Sequence, residues 1–176
     1  MTETQGPDIE ATLHSIDGEG VARLKSRYAT DIDDLWSALT DPKRLARWYA
    51  DVDGDLRVGG EFTATVHGSG WDGRGRIDLC DPPRRLVVTT WEEKGDEGVV
   101  SAELFADGDH TILVIERSGM PLDRVWAYGA GWQTHLEDLA AHLVGQDRSE
   151  WPSDSWPRWE ELAPSYREMP VVPLER

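Results

Sequence analysis

Residues 121–145 read PLDRVWAYGAGWQTHLEDLAAHLVG, and this stretch decides the fold. At about 100° per residue its apolar side chains share one face, as in a helix that lies on a protein core. These residues are Val125, Tyr128, Gly129, Trp132, Leu136, Leu139 and Leu143, whereas Thr134, Glu137 and Asp138 lie opposite. Pro121 suits a first helical turn, and Gly145 suits the position after the last one. The stretch therefore predicts one amphipathic helix of about 25 residues, nearly 40 Å long.

Most of the chain before this helix has the alternation of a β-strand. The predicted strands are 9–16, 21–28, 52–58, 61–67, 75–80, 86–91, 99–106 and 111–117, separated by turn residues such as Gly, Asp and Pro. No helix long enough for a crossover separates the last six runs, so we predict antiparallel pairing. The rows expected to face the helix are Phe62, Ala64 and Val66, then Ile77 and Leu79, then Leu113 and Ile115.

Two short helices are predicted between the second and third strands. Asp31 can cap the first, and Asp34 three residues later makes a carboxylate variant of the capping box. Asp41 followed by Pro42 is a typical start for the second. Both are too short to cover a sheet, so we expect them to close one end of it.

Composition limits the possible partners. The chain has 176 residues, one cysteine and a net charge of −16. Because negative charge repels phosphate backbones and anionic lipids, we expect no nucleic-acid or membrane partner. No long apolar run indicates secretion or membrane spanning, so we expect a cytoplasmic protein. A single cysteine rules out an internal disulfide.

No cofactor or metal site is expected. His135, Asp138 and His142 lie along one flank of the long helix, but no converging ligands accompany them. The acidic run 51–55 is similar to a calcium loop, yet the twelfth position holds Phe62 where such loops need glutamate.

The last segment, 146–176, differs in character from the rest. It contains Trp151, Trp156 and Trp159 among prolines, and Trp159, Leu162 and Tyr166 are spaced for one side of a short helix. Exposed tryptophans would form an unusual apolar patch, so we predict that this tail docks on its own domain or covers a partner chain, which makes a homodimer possible. The predicted organisation is a flexible N-terminus (1–8), one domain (9–145) and the tail.

The order of elements resembles the SRPBCC, or START-like, helix-grip superfamily, which implies an α+β fold with a curved antiparallel sheet around a long C-terminal helix. Four motifs carry the likeness: LWSALTDPKRLARWYA (35–50), DLRVGGEF (55–62), DPPRRLVVTTW (81–91) and GAGWQTHLEDLAAHL (129–143). They resemble the branch named after the Aha-type activator of a heat-shock chaperone ATPase. Many relatives have histidine before the final Ser-Gly pair; here Arg117 takes its place. Any role of that histidine is not transferred to this chain.

A sheet that grips a helix either fills the space between them or leaves a cavity. Gly129 and Gly131 would open room beside Trp132, and aromatic walls suit a small apolar ligand. The candidate ligand-binding residues are Trp48, Phe62, Val66, His67, Trp71, Trp91, Arg117, Tyr128, Trp132 and Leu136. Arg117, if it points inward, needs a carboxylate from the protein or from the ligand. The alternative is that the aromatic residues simply pack the core.

Three functions follow, and they remain open at this point. The first is a binding protein for a small hydrophobic or aromatic molecule. The second is a cyclase, dehydratase or hydrolase in which His67, Arg117 or His135 moves a proton or orients a carbonyl. The third is a chaperone-regulating or other protein-interaction module.

Overall fold

The computed structural model describes residues 7–92, 95, 97–146 and 156–175. The predicted flexible N-terminus up to residue 6, and Trp151 in the tail, lie outside the described residues. The strands are β1 (Asp8–Ile16), β2 (Glu19–Tyr28), β3 (Ala50–Gly54), β4 (Glu61–Val66), β5 (Asp72–Asp81), β6 (Arg85–Trp91), β7 (Gly98–Asp107), β8 (His110–Pro121) and β9 (Val171–Pro173). The helices are α1 (Ile32–Thr40), α2 (Pro42–Trp48), α3 (Val125–Leu143) and α4 (Pro157–Glu168), and a 3₁₀ turn at Leu122–Arg124 precedes α3.

The strands of the described residues form one sheet in the order β3-β4-β5-β6-β7-β8-β2-β1-β9. Every neighbouring pair is antiparallel except β1 with β9, which runs parallel. The α+β class, the curved sheet and the long helix predicted from the sequence are thus confirmed. No helix in the described part of the chain is long and apolar enough to cross a membrane.

The wrong boundaries include those of the long helix and of the strand predicted at 52–58. The long helix begins at Val125 rather than Pro121, because β8 continues to Pro121, which pairs with Glu19 of β2. The strand predicted at 52–58 starts earlier and ends at Gly54, whose φ of 140° departs from strand geometry. In both places the pairing of neighbouring strands outweighs the local residue pattern.

The two short helices begin as predicted. An Asp31 Oδ1 accepts from the Asp34 N–H at 2.8 Å, and an Asp41 Oδ1 accepts from the Lys43 N–H at 3.0 Å. The Asp34 carboxylate, however, does not complete a capping box. It accepts from Thr30 Oγ1 at 2.6 Å and from Arg44 Nη1 at 2.9 Å instead, and these contacts lower the pKa of Asp34.

The core lies between the concave face of the sheet and α3. Leu24, Leu113, Leu136 and Leu139 are fully buried there, and the Tyr28 hydroxyl donates to the Leu136 carbonyl at 3.1 Å. Most side chains of the predicted inward rows are buried: Ala64, Val66, Ile77, Leu113 and Ile115. Phe62 and Leu79 are only half-buried, and a register shift after Ile77 interrupts the alternation before Leu79.

The tail helix α4 packs against α3. The Trp159 Nε1 donates to the Ala127 carbonyl at 3.0 Å, and the Tyr166 hydroxyl donates to Gln133 Oε1 at 2.6 Å. Arg158 binds the Glu137 carboxylate through Nε at 2.7 Å and Nη2 at 2.8 Å. The sequence placed Thr134 on the side of the helix opposite the apolar face, where a residue would meet solvent. This was wrong: Thr134 is buried, because both the sheet and α4 cover α3.

Candidate functional site

A partly open cavity of about 910 Å³ lies between one end of the sheet, α3 and the start of α4. Its lining comes from the α2–β3 junction, the end of β4, the β4–β5 loop, the start of β5, the strands β6 to β8 and both C-terminal helices. The lining residues that bear on function are Tyr49, Val66, Gly68, Trp71, Thr90, Arg117, Tyr128, Gly131, Trp132, His135, Trp156 and Trp159. Aromatic rings therefore make up most of the large side chains in its walls.

The rings along one wall touch one another in sequence, and we call Tyr49, Trp132, His135, Trp156 and Trp159 the aromatic wall. Tyr49 stacks on Trp132, with ring centroids 5.4 Å apart and planes 27° from parallel. The His135 ring stands edge-on to Tyr49 at 4.9 Å and lies 4.9 Å from Trp156. Trp156 and Trp159 stack at 6.5 Å with planes only 7° apart. A flat aromatic molecule could continue this stacking.

The aromatic wall spans both helices of the C-terminal part. Trp132 and His135 come from α3, whereas Trp156 and Trp159 come from the start of α4. A Cβ on Gly131 would lie 3.4 Å from the Trp156 ring, so the glycine leaves space beside the stacked indoles. The Trp156 indole N–H is buried and has no hydrogen-bond partner among the described residues.

The β4–β5 loop forms the facing side of the cavity. Gly68 and Gly70 both have positive φ values, which glycine adopts without strain. A Cβ on Gly68 would lie 2.6 Å from Trp156 Nε1, so the indole packs directly on the loop backbone. The Trp71 N–H donates to Ser69 Oγ at 3.2 Å and thereby holds the turn that presents Trp71 to the cavity.

Arg117 carries the cavity's buried positive charge and is only 6% exposed. Its Nη1 donates to Thr90 Oγ1 at 3.0 Å, and Thr90 Oγ1 in turn donates to the Gly98 carbonyl at 3.5 Å. The guanidinium carbon lies 5.5 Å from the centre of the Tyr128 ring, a cation–π contact. Within the described part of the chain, no carboxylate forms an ion pair with Arg117.

Two further titratable groups of the cavity are Tyr49 and His135. Burial raises the pKa of Tyr49 to about 12, and the positive charge of Arg117 lowers it slightly. The Tyr49 hydroxyl is therefore neutral at physiological pH. His135 is 5% exposed and is held among the rings of Tyr49, Trp132 and Trp156.

Five of the ten residues predicted to bind a ligand line this cavity: Val66, Trp71, Arg117, Tyr128 and Trp132. Their contact with a ligand remains a prediction. The structure brings them together from β4, the following loop, β8 and α3.

The other five predicted residues lie outside the cavity lining. Trp48 is buried and donates from Nε1 to the Ala38 carbonyl at 3.0 Å, and Leu136 is fully buried in the core. The Phe62 ring covers Gly75 of the adjacent strand, and Arg74 lies over the Trp91 ring at 5.7 Å. His67 Nε2 donates to the Ala46 carbonyl at 3.0 Å.

Several lining residues were not predicted. Tyr49 follows Trp48 directly, and composition alone cannot show which of two adjacent aromatic residues faces a cavity. Trp156 and Trp159 lie in the tail, which was expected to dock somewhere without any indication that it would form part of the cavity wall. Gly129 was expected to open the cavity, but the Tyr166 ring of α4 fills the space above it.

Comparison with known structures supports the same architecture over nearly the whole chain. The crystal structure of CalU16 from Micromonospora echinospora is 28% identical, with a TM-score of 0.75, 94% of this chain covered and 98% of that one. DynU16, described as a putative protein in the dynemicin biosynthetic locus, is 26% identical with a TM-score of 0.69, covering 75% of this chain and 51% of that one. Protein MLL2253 from Mesorhizobium loti shares the fold at 22% identity, with a TM-score of 0.66, 73% of this chain covered and 99% of that one.

No protein of curated function is similar enough in sequence to be matched. The model of one protein family, described as "Activator of Hsp90 ATPase homolog 1-like protein", matches residues 29–144. This match covers more than half of the chain and contains the short helices, the strands of the meander and α3. The superfamily resemblance found in the sequence is thereby confirmed, and the chain belongs to the family of Activator of Hsp90 ATPase homolog 1-like proteins.

Proposed function

We propose that the protein binds a small, largely aromatic molecule in the cavity beside Trp132. The observation that carries this proposal is the cavity of about 910 Å³ walled by stacked aromatic side chains. Small-molecule sites are concave and mostly apolar, with a few polar groups that fix orientation. Arg117, Thr90 and His135 supply those polar groups.

The similarity to CalU16 and DynU16 fits this role. DynU16 is described as a putative protein in the dynemicin biosynthetic locus. Family membership, these neighbours and the cavity together support a ligand-binding or cyclase-like role.

The test is the binding of N-phenyl-1-naphthylamine, an uncharged dye that fluoresces in apolar surroundings. The wild type should increase its emission, and Gly131→Leu should weaken binding about tenfold, because the added side chain enters the cavity beside Trp156. The matched control is Ala141→Leu, which adds a leucine on α3 outside the cavity lining and should bind the dye like the wild type. The proposal is contradicted if the wild type does not increase the dye's emission, or if Gly131→Leu binds the dye as tightly as the wild type does.

A cyclase-like enzyme is the second candidate. The specific observation is that Arg117 and His135, two of the three predicted proton-transfer or orienting groups, line the same cavity. The third, His67, does not. Mass spectrometry of a bound poly-β-ketone over time would show cyclisation or dehydration by the wild type and a slower reaction by His135→Asn. If the compound is recovered unchanged, the enzyme role is contradicted and only the binding role remains.

A further inference from the structure

Arg117 places a buried cation inside a cavity that is otherwise apolar and aromatic. Of the described residues that line the cavity, it alone carries a fixed positive charge. Burying a guanidinium is costly unless an anion or several acceptors surround it. Only one side-chain hydrogen bond, to Thr90 Oγ1, is formed by the guanidinium within the described part of the chain. Arg117 thus lines a cavity in which no carboxylate of the described residues forms an ion pair with it.

The position of the guanidinium is fixed by its neighbours. Thr90 Oγ1 accepts a hydrogen bond from Arg117 Nη1 and donates one to the Gly98 carbonyl. These two bonds fix the hydroxyl, which in turn holds the arginine in one orientation. Gly98 packs against Nη1, and a side chain there would overlap the guanidinium. The Tyr128 ring covers one face of the group. A cation held in this way is preorganised to bind a planar anion.

None of the described acidic residues that line the cavity forms an ion pair with Arg117. Asp72, Glu92 and Glu160 line the cavity and are exposed to solvent. Exposed charges are screened over about 8–10 Å at physiological salt, whereas a buried charge is screened much less. The charge of Arg117 therefore dominates the interior, even though the whole chain carries −16.

We propose that the ligand is an aromatic carboxylic acid whose carboxylate binds the Arg117 guanidinium while its ring stacks on the aromatic wall. This rests on the proposed function and narrows it to one chemical class. Arginine binds carboxylates through two parallel hydrogen bonds, a geometry that an alcohol or hydrocarbon cannot offer. Thr90 is the positioning residue, because its hydroxyl accepts a hydrogen bond from the guanidinium and holds it in place.

Three probes with the same ring system separate charge from shape: 2-naphthoate, 2-naphthamide and 2-methylnaphthalene. Isothermal titration calorimetry at pH 7.5 and 150 mM NaCl gives a dissociation constant for each with the full chain. The wild type should bind 2-naphthoate at least about tenfold more tightly than the amide or the hydrocarbon, as expected for a charge-assisted hydrogen-bond pair. Arg117→Met should reduce this ratio to about one.

Arg27→Met is the matched control, because it removes one arginine whose partner, Asp107, lies outside the cavity lining. It should keep the wild-type ratio. If Arg117→Met does not fold by circular dichroism, Thr90→Val replaces it: the cation stays but loses the bond that orients it, and the ratio should fall.

The outcomes separate this inference from the proposed function. If 2-naphthoate and 2-naphthamide bind the wild type equally, or if the arginine and threonine variants keep the wild-type ratio, the carboxylate assignment is wrong while a binding protein remains. If none of the three probes and no uncharged dye binds, both the proposed function and this inference fail.

Discussion

Gly129 of α3 lies directly beneath the ring of Tyr166 of α4. A Cβ built on Gly129 would stand 2.8 Å from Tyr166 Cε1 and 3.0 Å from Leu13 Cδ2, closer than packed carbon atoms approach. The missing side chain therefore lets the tail helix settle onto the long helix. The same close approach carries Trp156 and Trp159 to the cavity, so the contact between the two helices and the shape of the candidate site are linked.

Gly129→Ala is expected to destabilise the protein by about 1–2 kcal/mol, because overpacking a close contact costs more than the helix propensity that alanine gains. Gly131→Ala is the matched control two residues away. Its Cβ would meet its nearest atom at an ordinary 3.4 Å, so it should stabilise the helix by about 0.5–1 kcal/mol. Urea unfolding followed by fluorescence measures both. Equal stabilisation by the two alanines would contradict the packing of α4 on Gly129.

Tyr166→Phe tests the hydrogen bond that fixes the tail helix. The Tyr166 hydroxyl donates to Gln133 Oε1 at 2.6 Å, and burial raises the pKa of Tyr166. Losing this bond should cost about 1 kcal/mol in the free energy of unfolding. Ser165→Ala is the control, since the Ser165 hydroxyl bonds within α4 to the Leu162 carbonyl and does not join the helices. Similar costs for the two variants would argue against the interhelical bond.

The parts of the fold set by local alternation were predictable. Leu113, Ile115 and Arg117 occupy alternate positions of one strand, so an inward Leu113 and Ile115 imply an inward Arg117. The same two-residue alternation predicts that Phe62 and Val66 point to one face of their strand, and in β4 they do share a face. Phe62 nevertheless misses the cavity, because four residues of strand span about 13 Å. Parity gives the face of a strand, whereas position along the strand decides which residues reach a site at its end.

Contacts between distant segments were not predictable from local pattern. The Gly129–Tyr166 pair joins residues 37 positions apart through two helices whose docking no periodicity encodes. Trp156 reaches Gly68 across an even longer stretch of chain. The start of α3 was misplaced for a related reason: Met120 and Pro121 complete the pairing of β8 with β2, and this pairing overrides the helical start signal of proline.

Phe62→Ala should weaken the sheet without affecting ligand binding. The Phe62 ring covers Gly75, its direct partner on β5, and a side chain on Gly75 would overlap that ring. We expect a loss of about 2 kcal/mol for this half-buried phenylalanine, below the range for fully buried ones. In a double-mutant cycle, Gly75→Ala should cost less in the Phe62→Ala background than in the wild type. Additive losses, or reduced dye binding by the folded Phe62→Ala variant, would contradict this assignment.

His142 should make stability depend on pH. Arg44 Nε donates to His142 Nε2 at 3.1 Å, which requires an unprotonated acceptor, and burial together with the positive charges of Arg44 and Arg47 lowers the pKa of His142. Because the folded pKa lies below the unfolded value of about 6.5, the unfolded chain binds a proton first as the pH falls. The contribution of His142 to stability is therefore complete above that value and is lost as the pH falls toward the folded pKa.

His142→Gln offers Arg44 an amide oxygen as acceptor in place of the imidazole nitrogen but cannot take up a proton in this range. Between pH 7.5 and 5.5, the urea midpoint of the wild type should fall more steeply than that of His142→Gln. The reference midpoint of each protein is taken at pH 8.5, where the imidazole of the wild type is neutral in the folded and the unfolded chain. The other titrating groups are common to both proteins, so the difference in slope belongs to His142. Parallel midpoint curves would show that the imidazole is protonated as readily in the folded chain as in the unfolded one, and the link that Arg44 makes between α2 and α3 would then need another explanation.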